Sequence, residues 1–374
     1  MVLLIFGLFS SYLCSNNLSS LCTTNPFTII MFTVVALLIS AFASPATPCS
    51  ESSWMTNSRS CLGPPQVWEA RPSPGKGIGV YATRVIEPGD TILSEPAMIH
   101  ITPPEFRDGV AYPLGDINTL LQSSFDALSQ EQQTEVMSLH AHMSSSEDAN
   151  DTRMAIMRSN AYTTGNSLGL FPKGARINHS CRPSTSQYWN PQTRRRIVYA
   201  NRRIEEGEEI FATYIPLLYS HEARQKRLDQ YGFKCTCEAC AQGQEMLQAS
   251  DQRRQDLQKA FAAFEPQLTL SIPQSVVGKR KARKNAEASV QLVEQLEEEG
   301  LADYYVKAYH IAAIAHARIE DWKPATLWAN KGFETSLLAD PHAHSAGARE
   351  LQALTNHLII NWNAELREDA TRQS

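Results

Sequence analysis

Arg176-Ile177-Asn178-His179-Ser180-Cys181-Arg182-Pro183, followed downstream by Gly207-Glu208-Glu209-Ile210-Phe211-Ala212-Thr213-Tyr214, decides how the sequence is read. The first motif sets an amide, an imidazole, a hydroxyl and a thiol in four consecutive residues and closes on proline, which pushes Arg182 out of the helical region. Such a string is too polar for a strand interior and too short for a helix. It reads as a tight loop that turns polar groups into a pocket. The second motif opens with a turn at Glu206-Gly207-Glu208 and runs into a β-branched and aromatic segment with the character of a strand. That strand delivers Tyr214, and Pro216 ends its pairing.

Two further motifs flank this centre. Upstream lies Gly75-Lys76-Gly77-Ile78-Gly79-Val80-Tyr81-Ala82-Thr83, whose glycines let backbone approach a ligand closely. Downstream, Cys235-Thr236-Cys237-Glu238-Ala239-Cys240 supplies three thiols at metal-ligand spacing. Tetrahedral zinc wants four ligands, and Cys181 is the remaining cysteine of this region. A disulfide among them is the alternative if the region is secreted.

In this order the four motifs resemble the core of SET-domain protein lysine methyltransferases, over roughly Val67 to Cys240. The nearest group is the SET-and-MYND type and its fungal relatives. The resemblance implies an α+β fold: a β-rich SET domain with a pseudoknot-like C-terminal segment, a helical insert, a post-SET zinc cluster and an all-α, degenerate tetratricopeptide-like C-terminal domain. It implies transfer of a methyl group from S-adenosylmethionine to a protein lysine, with histone tails among the substrates. A non-catalytic SET scaffold that binds partners through its helical domain is the rival reading. By resemblance, Lys76, Gly77, Ile78 and Gly79 contact the amino-acid end of the cofactor, Asn178 hydrogen-bonds the same end, and the His179 backbone holds the adenine. Tyr214 is the catalytic tyrosine. Tyr231 and Phe233 close over the adenine and line the lysine channel. Asn160, in Asn160-Ala161-Tyr162, resembles an N-x-[FY] element that lends an asparagine to the cofactor pocket. Cys181 takes the place of the family's fourth zinc ligand beside Cys235, Cys237 and Cys240. The chain departs from the pattern at Ser184, where the family's loop usually ends in asparagine, and serine reaches less far. No cysteine lies between Cys61 and Cys181, so the MYND finger of those relatives is expected to be absent.

At 374 residues there is room for two domains, and the net charge of -5 gives no strong nucleic-acid signal. The run Arg194-Arg195-Arg196 reads as a solvated hairpin turn, with a local basic patch as the alternative. Residues 1–45 carry no charge and contain an apolar run, 27–43, ending in small residues, so they read as a signal peptide or membrane anchor. A mispredicted start is the alternative, leaving the protein in the cytosol or nucleus. A thiolate zinc site favours that reducing setting, and Asn178-His179-Ser180 would place a glycosylation sequon in the active site.

The remaining organisation follows from pattern. Residues 46–66 are a linker, 67–218 the SET domain, 104–152 its helical insert, 219–241 the post-SET segment and 250–374 the helical domain. Within the insert, Leu121, Phe125, Val136 and Leu139 recur at helical spacing, and Ser129 is placed to cap the second helix. Lys279 to Lys284 reads as a solvated helix start, with a nuclear-import signal as the alternative.

Overall fold

The structure is a computed structural model that describes residues 66–104, 113–143 and 152–373. The expected signal or anchor segment, residues 1–45, and nearly all of the linker lie outside the described residues. Among the described residues no helix is long and apolar enough to cross a membrane.

The glycine motif forms a hairpin. Strand β1 (Trp68–Ser73) pairs antiparallel with β2 (Gly77–Ala82), from Trp68 opposite Ala82 to Ser73 opposite Gly77. The tight connection is made by Gly75 at φ 72° and Gly77 at φ 75°, a region that glycine enters without steric cost. Three small sheets make up the β part. Their strands are β3 (Thr91–Pro96), β4 (Ile99–Ile101), β5 (Ala161–Thr164), β6 (Ser167–Leu170), β7 (Asn178–His179), β8 (Thr185–Asn190), β9 (Arg195–Ala200) and β10 (Glu209–Ala212). The sheet orders are β1-β2-β10-β7, β3-β9-β8 and β4-β6-β5.

One expectation changes here. Asn178 and His179 are not loop but a short strand, paired in parallel with Phe211 and Ala212 of β10. Their polar side chains are tolerated because each finds a partner in the site. Residues 91–101 carry two strands in different sheets, β3 and β4. Pro96 ends the first, since it has no N–H to continue the ladder.

Val80, Ile86, Leu93, Val198, Ile204 and Ile210 are buried together between the first two sheets. The insert holds α1 (Leu114–Asp126) and α2 (Gln130–Met137), followed by α3 (Thr152–Asn160). Ser129 caps α2 as its sequence suggests: its hydroxyl accepts from the Gln132 N–H, and the Gln132 side chain accepts from the Ser129 N–H. Leu121, Phe125 and Val136 pack with Ile99, Ile101 and Leu170, which ties the insert to the third sheet.

After Tyr214 the chain is helical: α4 (His221–Leu228), α5 (Gln244–Phe264), α6 (Val276–Glu299), α7 (Tyr305–Ala317), α8 (Trp322–Ser336) and α9 (Ala346–Gln373). From α5 onward each helix packs on the next. Ala308, Ala312, Ala325 and Ala329 are fully buried and allow close approach. Lys279, Arg280, Lys281, Arg283 and Lys284 lie exposed along the first turns of α6, a solvated helix start. The helical region does not stand apart from the β part. Leu257, Phe261, Leu292 and Leu296 share one core with Ile215, Leu217 and Cys181. Each such buried leucine contributes on the order of 2 kcal/mol, so this joint core is a firm one.

Candidate active site

The glycine hairpin, β7 and β10 meet at Glu209. Its carboxylate accepts from Ser73 Oγ at 2.9 Å and from Asn178 Nδ2 at 2.8 Å, and it pairs with Lys76 Nζ at 2.9 Å. Asn178 Nδ2 also donates to the Ile78 carbonyl at 3.3 Å, and Lys76 Nζ lies 4.5 Å above the Phe211 ring. Lys76, Gly77, Ile78, Gly79 and Asn178 are therefore brought together, as the motifs suggest. A Cβ on Gly79 would come within 2.5 Å of Glu209 Oε1 and 3.0 Å of Asn178 Nδ2, so any larger residue here would displace the carboxylate from its partners. At Gly77 an added Cβ would meet nothing within 4 Å, so this backbone is open to a ligand. Sequence reading passed over Glu209. The available signal was a carboxylate on the strand leading to Tyr214, in a chain whose glycine motif carries a lysine.

At the other end of β7 and β10 lies an aromatic cluster. Tyr214 Oη donates to the Ile177 carbonyl at 2.8 Å. The Tyr214 N–H donates to His179 Nδ1 at 3.1 Å, which leaves the His179 proton on Nε2, 3.4 Å from Cys181 Sγ. Burial holds the imidazole down to about 4, so it is neutral at pH 7. Burial, with nearby Tyr162, Tyr231 and Glu209, pushes Tyr214 above the ordinary tyrosine range, so its hydroxyl keeps its proton. The Tyr214 ring centroid is 5.1 Å from that of Tyr231 and 6.3 Å from that of Phe233, and His179 is 6.2 Å from Phe233. Tyr231 and Phe233 are thus gathered onto Tyr214 and His179.

A cavity of about 330 Å³ opens beside this cluster, lined by Tyr214, Tyr231, Asn160, Tyr162, Gln187 and others. Asn160 donates to the His140 and Ile156 carbonyls at 2.7 and 2.8 Å, so its amide nitrogen is anchored to the insert while the residue borders the cavity. Tyr162, the third residue of the Asn160-Ala161-Tyr162 element, is a third tyrosine in this wall beside Tyr214 and Tyr231.

Ser184 stands where a longer side chain was expected, and the structure shows how the shorter one serves. It is fully buried, its hydroxyl accepts from the Phe211 N–H at 3.0 Å, and its own N–H donates to the Phe211 carbonyl at 3.1 Å. The loop is clamped directly to β10, and no longer reach is needed.

The sulfurs of Cys181, Cys235, Cys237 and Cys240 all lie within 4.8 Å of one another, and none is in a disulfide. The cluster could hold a metal ion. The Cys181 N–H donates to Cys237 Sγ at 3.3 Å, and hydrogen bonds from Cys181, Cys235 and Cys240 hold the Cys237 thiol well below its ordinary range. The surroundings suit an anionic centre. Arg224 is fully buried and bonded to the Tyr219 carbonyl at 2.5 Å, while its Nε and Nη2 have no hydrogen-bond partner among the described residues. Burial alone would lower the Arg224 pKa, but the charges of Cys181, Cys240 and Asp251 raise it, which places a cation against the thiols. A metal bound by four thiolates would carry net negative charge, and Arg224 fits that charge.

From the helical side, Arg254 donates to the Cys181 carbonyl at 3.1 Å, to the Leu217 carbonyl at 3.1 Å and to Glu299 at 2.8 Å. Glu299 is itself fully buried and also accepts from Ser250 and Arg253. Sequence reading had no means to pair these residues.

The family model described as SET domain matches residues 77–215. The chain carries a SET domain. It is similar to the histone-lysine N-methyltransferase set5 of Schizosaccharomyces pombe, 32% identical over 195 residues, which covers 51% of this chain and 56% of that protein. It is similar to the histone-lysine N-methyltransferase SMYD3 of Mus musculus, 35% identical over 26% of this chain and 23% of that one. A third relative is the N-lysine methyltransferase SMYD2 of Gallus gallus, 43% identical over 19% of this chain and 16% of that one. The matches span about half the length of the first relative and under a quarter of the other two.

Proposed function

We propose that this chain is an S-adenosylmethionine-dependent protein-lysine N-methyltransferase, acting on a lysine of a protein such as a histone. The observation that carries the reading is Tyr214. Its protonated hydroxyl is fixed to the Ile177 carbonyl at the wall of a cavity it shares with Tyr162 and Tyr231, one strand away from the hairpin that holds Asn178. The names of the relatives support the same activity.

When bound, S-adenosylmethionine supplies an electrophilic methyl group. Lys76, Gly77, Ile78 and Gly79 offer backbone to its amino-acid end, with Asn178 beside them, and Asn160, His179, Tyr231 and Phe233 complete the pocket. The open backbone at Gly77 fits this role. The chain's own contribution is positioning. The Tyr214 oxygen accepts from the lysine amine and aims its lone pair, and the rings of Tyr162 and Tyr231 face the alkyl chain and the cation formed. Zinc is the metal the four thiols suit, and it would tie Tyr231 and Phe233 to the loop at Cys181.

Labelled cofactor, incubated with purified protein plus histones and a cell extract, tests the reading. Transfer to lysine, with product mass giving the methylation state, is expected. Cofactor binding without transfer would favour the scaffold reading, in which the helical region acts by binding partners on tetratricopeptide-like hairpins. The proposed targeting role of residues 1–45 is tested separately, by sequencing the N-terminus of the mature protein and fractionating membranes.

A further inference from the structure

The three arginines at the β8–β9 hairpin take three different environments. Arg194 sits in the turn, exposed, at φ 53°. Arg195 donates to Ser94 Oγ at 2.9 Å and to the Ser94 carbonyl at 2.8 Å. Arg196 contradicts the solvated reading of the run: it is 5% exposed, with its guanidinium carbon 2.9 Å from the centre of the Tyr162 ring and 5.6 Å from that of Phe171. Strand alternation explains the split, since successive side chains of β9 face opposite sides.

Among the described residues this buried cation has no ion-paired carboxylate, although the charge of Glu95 still acts on it from beyond bonding distance. Its Nε has no hydrogen-bond partner, and no carboxylate lies within ion-pair distance of it among the described residues. Glu95 is opposite Arg196 in the β3–β9 register, but its carboxylate accepts from the N–H groups of Lys173 and Gly174, each at 2.9 Å. Burial holds Arg196 down to about 10, which still leaves it cationic at neutral pH. A buried charge without a bonded partner is costly to the fold.

Arg196 borders a second cavity of about 200 Å³, walled by Phe171, Trp189 and Thr164 and without a carboxylate in its lining. Tyr162, Thr163 and Gln187 line both this cavity and the one beside Tyr214, so the two are neighbours along one groove. We infer that the second cavity receives an acidic side chain of the protein substrate, a few residues from the lysine to be methylated, and that Arg196 pairs with its carboxylate. The volume suits one side chain, and the planar guanidinium matches a carboxylate edge. The inference rests on the methyl-transfer reading for the lysine and on Arg196 for its neighbour.

Peptide sets with one lysine, carrying Glu or Gln at each neighbouring position in turn, test it on the full chain with two readouts: labelled methyl transfer and binding by fluorescence anisotropy. A preference for Glu over Gln of about tenfold at one position is expected in both readouts. It should fall to near parity in Arg196→Gln and be partly kept in Arg196→Lys, which retains a charge but not the fork. Equal handling of Glu and Gln peptides by the wild type overturns the inference. So does a preference that survives Arg196→Gln, since Arg196 would then be only a wall stacked on aromatic rings. Preferential binding without transfer keeps the inference and removes the methyl-transfer reading; transfer without preference does the reverse. If Arg196→Gln fails to fold in melting scans, the wild-type ratio and Arg196→Lys decide.

Discussion

The two ends of the site are secured in opposite ways. The hairpin end is held by strand pairing and by one carboxylate, Glu209, whose partners Ser73 and Asn178 sit on paired strands and whose partner Lys76 sits in the hairpin turn. The aromatic end is held by thiols and by an ion network that belongs to the helical region. Tyr231 and Phe233 follow α4, the cysteines follow them, and Arg254 reaches in from α5 to the Cys181 carbonyl. The first end forms when the sheet forms. The second depends on reduced thiols, on any metal they bind and on a helix from outside the SET domain.

The largest effect should come from the thiols. Cys181→Ser, or chelation of metal from the native protein, should unfold the cap around Tyr231 and Phe233 and weaken cofactor binding. Metal binding and folding are linked at such sites by on the order of 10 kcal/mol. Elemental analysis with thiol counting is expected to give one zinc per chain and no disulfide among Cys181, Cys235, Cys237 and Cys240. A cap that stays ordered, with cofactor affinity unchanged, would break the contrast between the two ends.

Next in size is the buried ion network. Glu299→Gln leaves Arg254 unpaired in the interior and should cost about 3–5 kcal/mol in urea unfolding. Burial alone would raise the Glu299 pKa, but the Arg254 charge and the bonds from Ser250, Arg254 and Arg253 outweigh it and hold the carboxyl below its ordinary range. A carboxyl lowered in the folded state stabilises above the unfolded carboxylate range and loses that contribution as pH falls through the folded value. The gap between wild type and Glu299→Gln should therefore narrow steadily below about pH 5. A gap that does not change with pH would deny Glu299 its charge.

Tyr214→Phe should raise the barrier by about 2–4 kcal/mol and leave cofactor affinity near the wild-type value. Wild-type turnover in this variant would remove the catalytic assignment. At the hairpin end, Glu209→Gln keeps the hydrogen-bonding shape and loses the charge facing Lys76, so cofactor affinity should fall by about 1.5 kcal/mol while the fold is kept. The smallest change is a control outside both ends: Ser129→Ala removes a helix cap and should cost about 1 kcal/mol of stability with turnover unchanged.

What the sequence revealed follows the range of its interactions. Tyr214, Asn178, His179 and the four thiols were legible because each sits in a dense local motif. Glu209 was not, because two of its partners lie 136 and 133 residues earlier and nothing near it in sequence marks them. Arg254 and Glu299 look like ordinary charges on amphipathic helices until α5 and α6 are packed against Cys181. Arg196 was hidden by its neighbours: a run of three arginines reads as solvent-facing, and strand alternation buries the third. The reading of Asn178 and His179 as loop failed for a related reason. Their polarity argued against a strand, and only parallel pairing with β10 supplies the partners that make a two-residue strand worthwhile.

The bond from Arg254 to the Cys181 carbonyl also has a meaning for biosynthesis. Arg254 leaves the ribosome 73 residues after Cys181, an interval of about 4–15 s at ordinary elongation rates. Late in that interval Tyr214 and all four cysteines have emerged, but the arginine that holds the Cys181 carbonyl has not. The nascent chain therefore carries open cysteines until α5 and then Glu299 arrive. A ribosome stalled before α5 should hold a chain whose thiols still react with a maleimide probe, while release of the full chain should protect them.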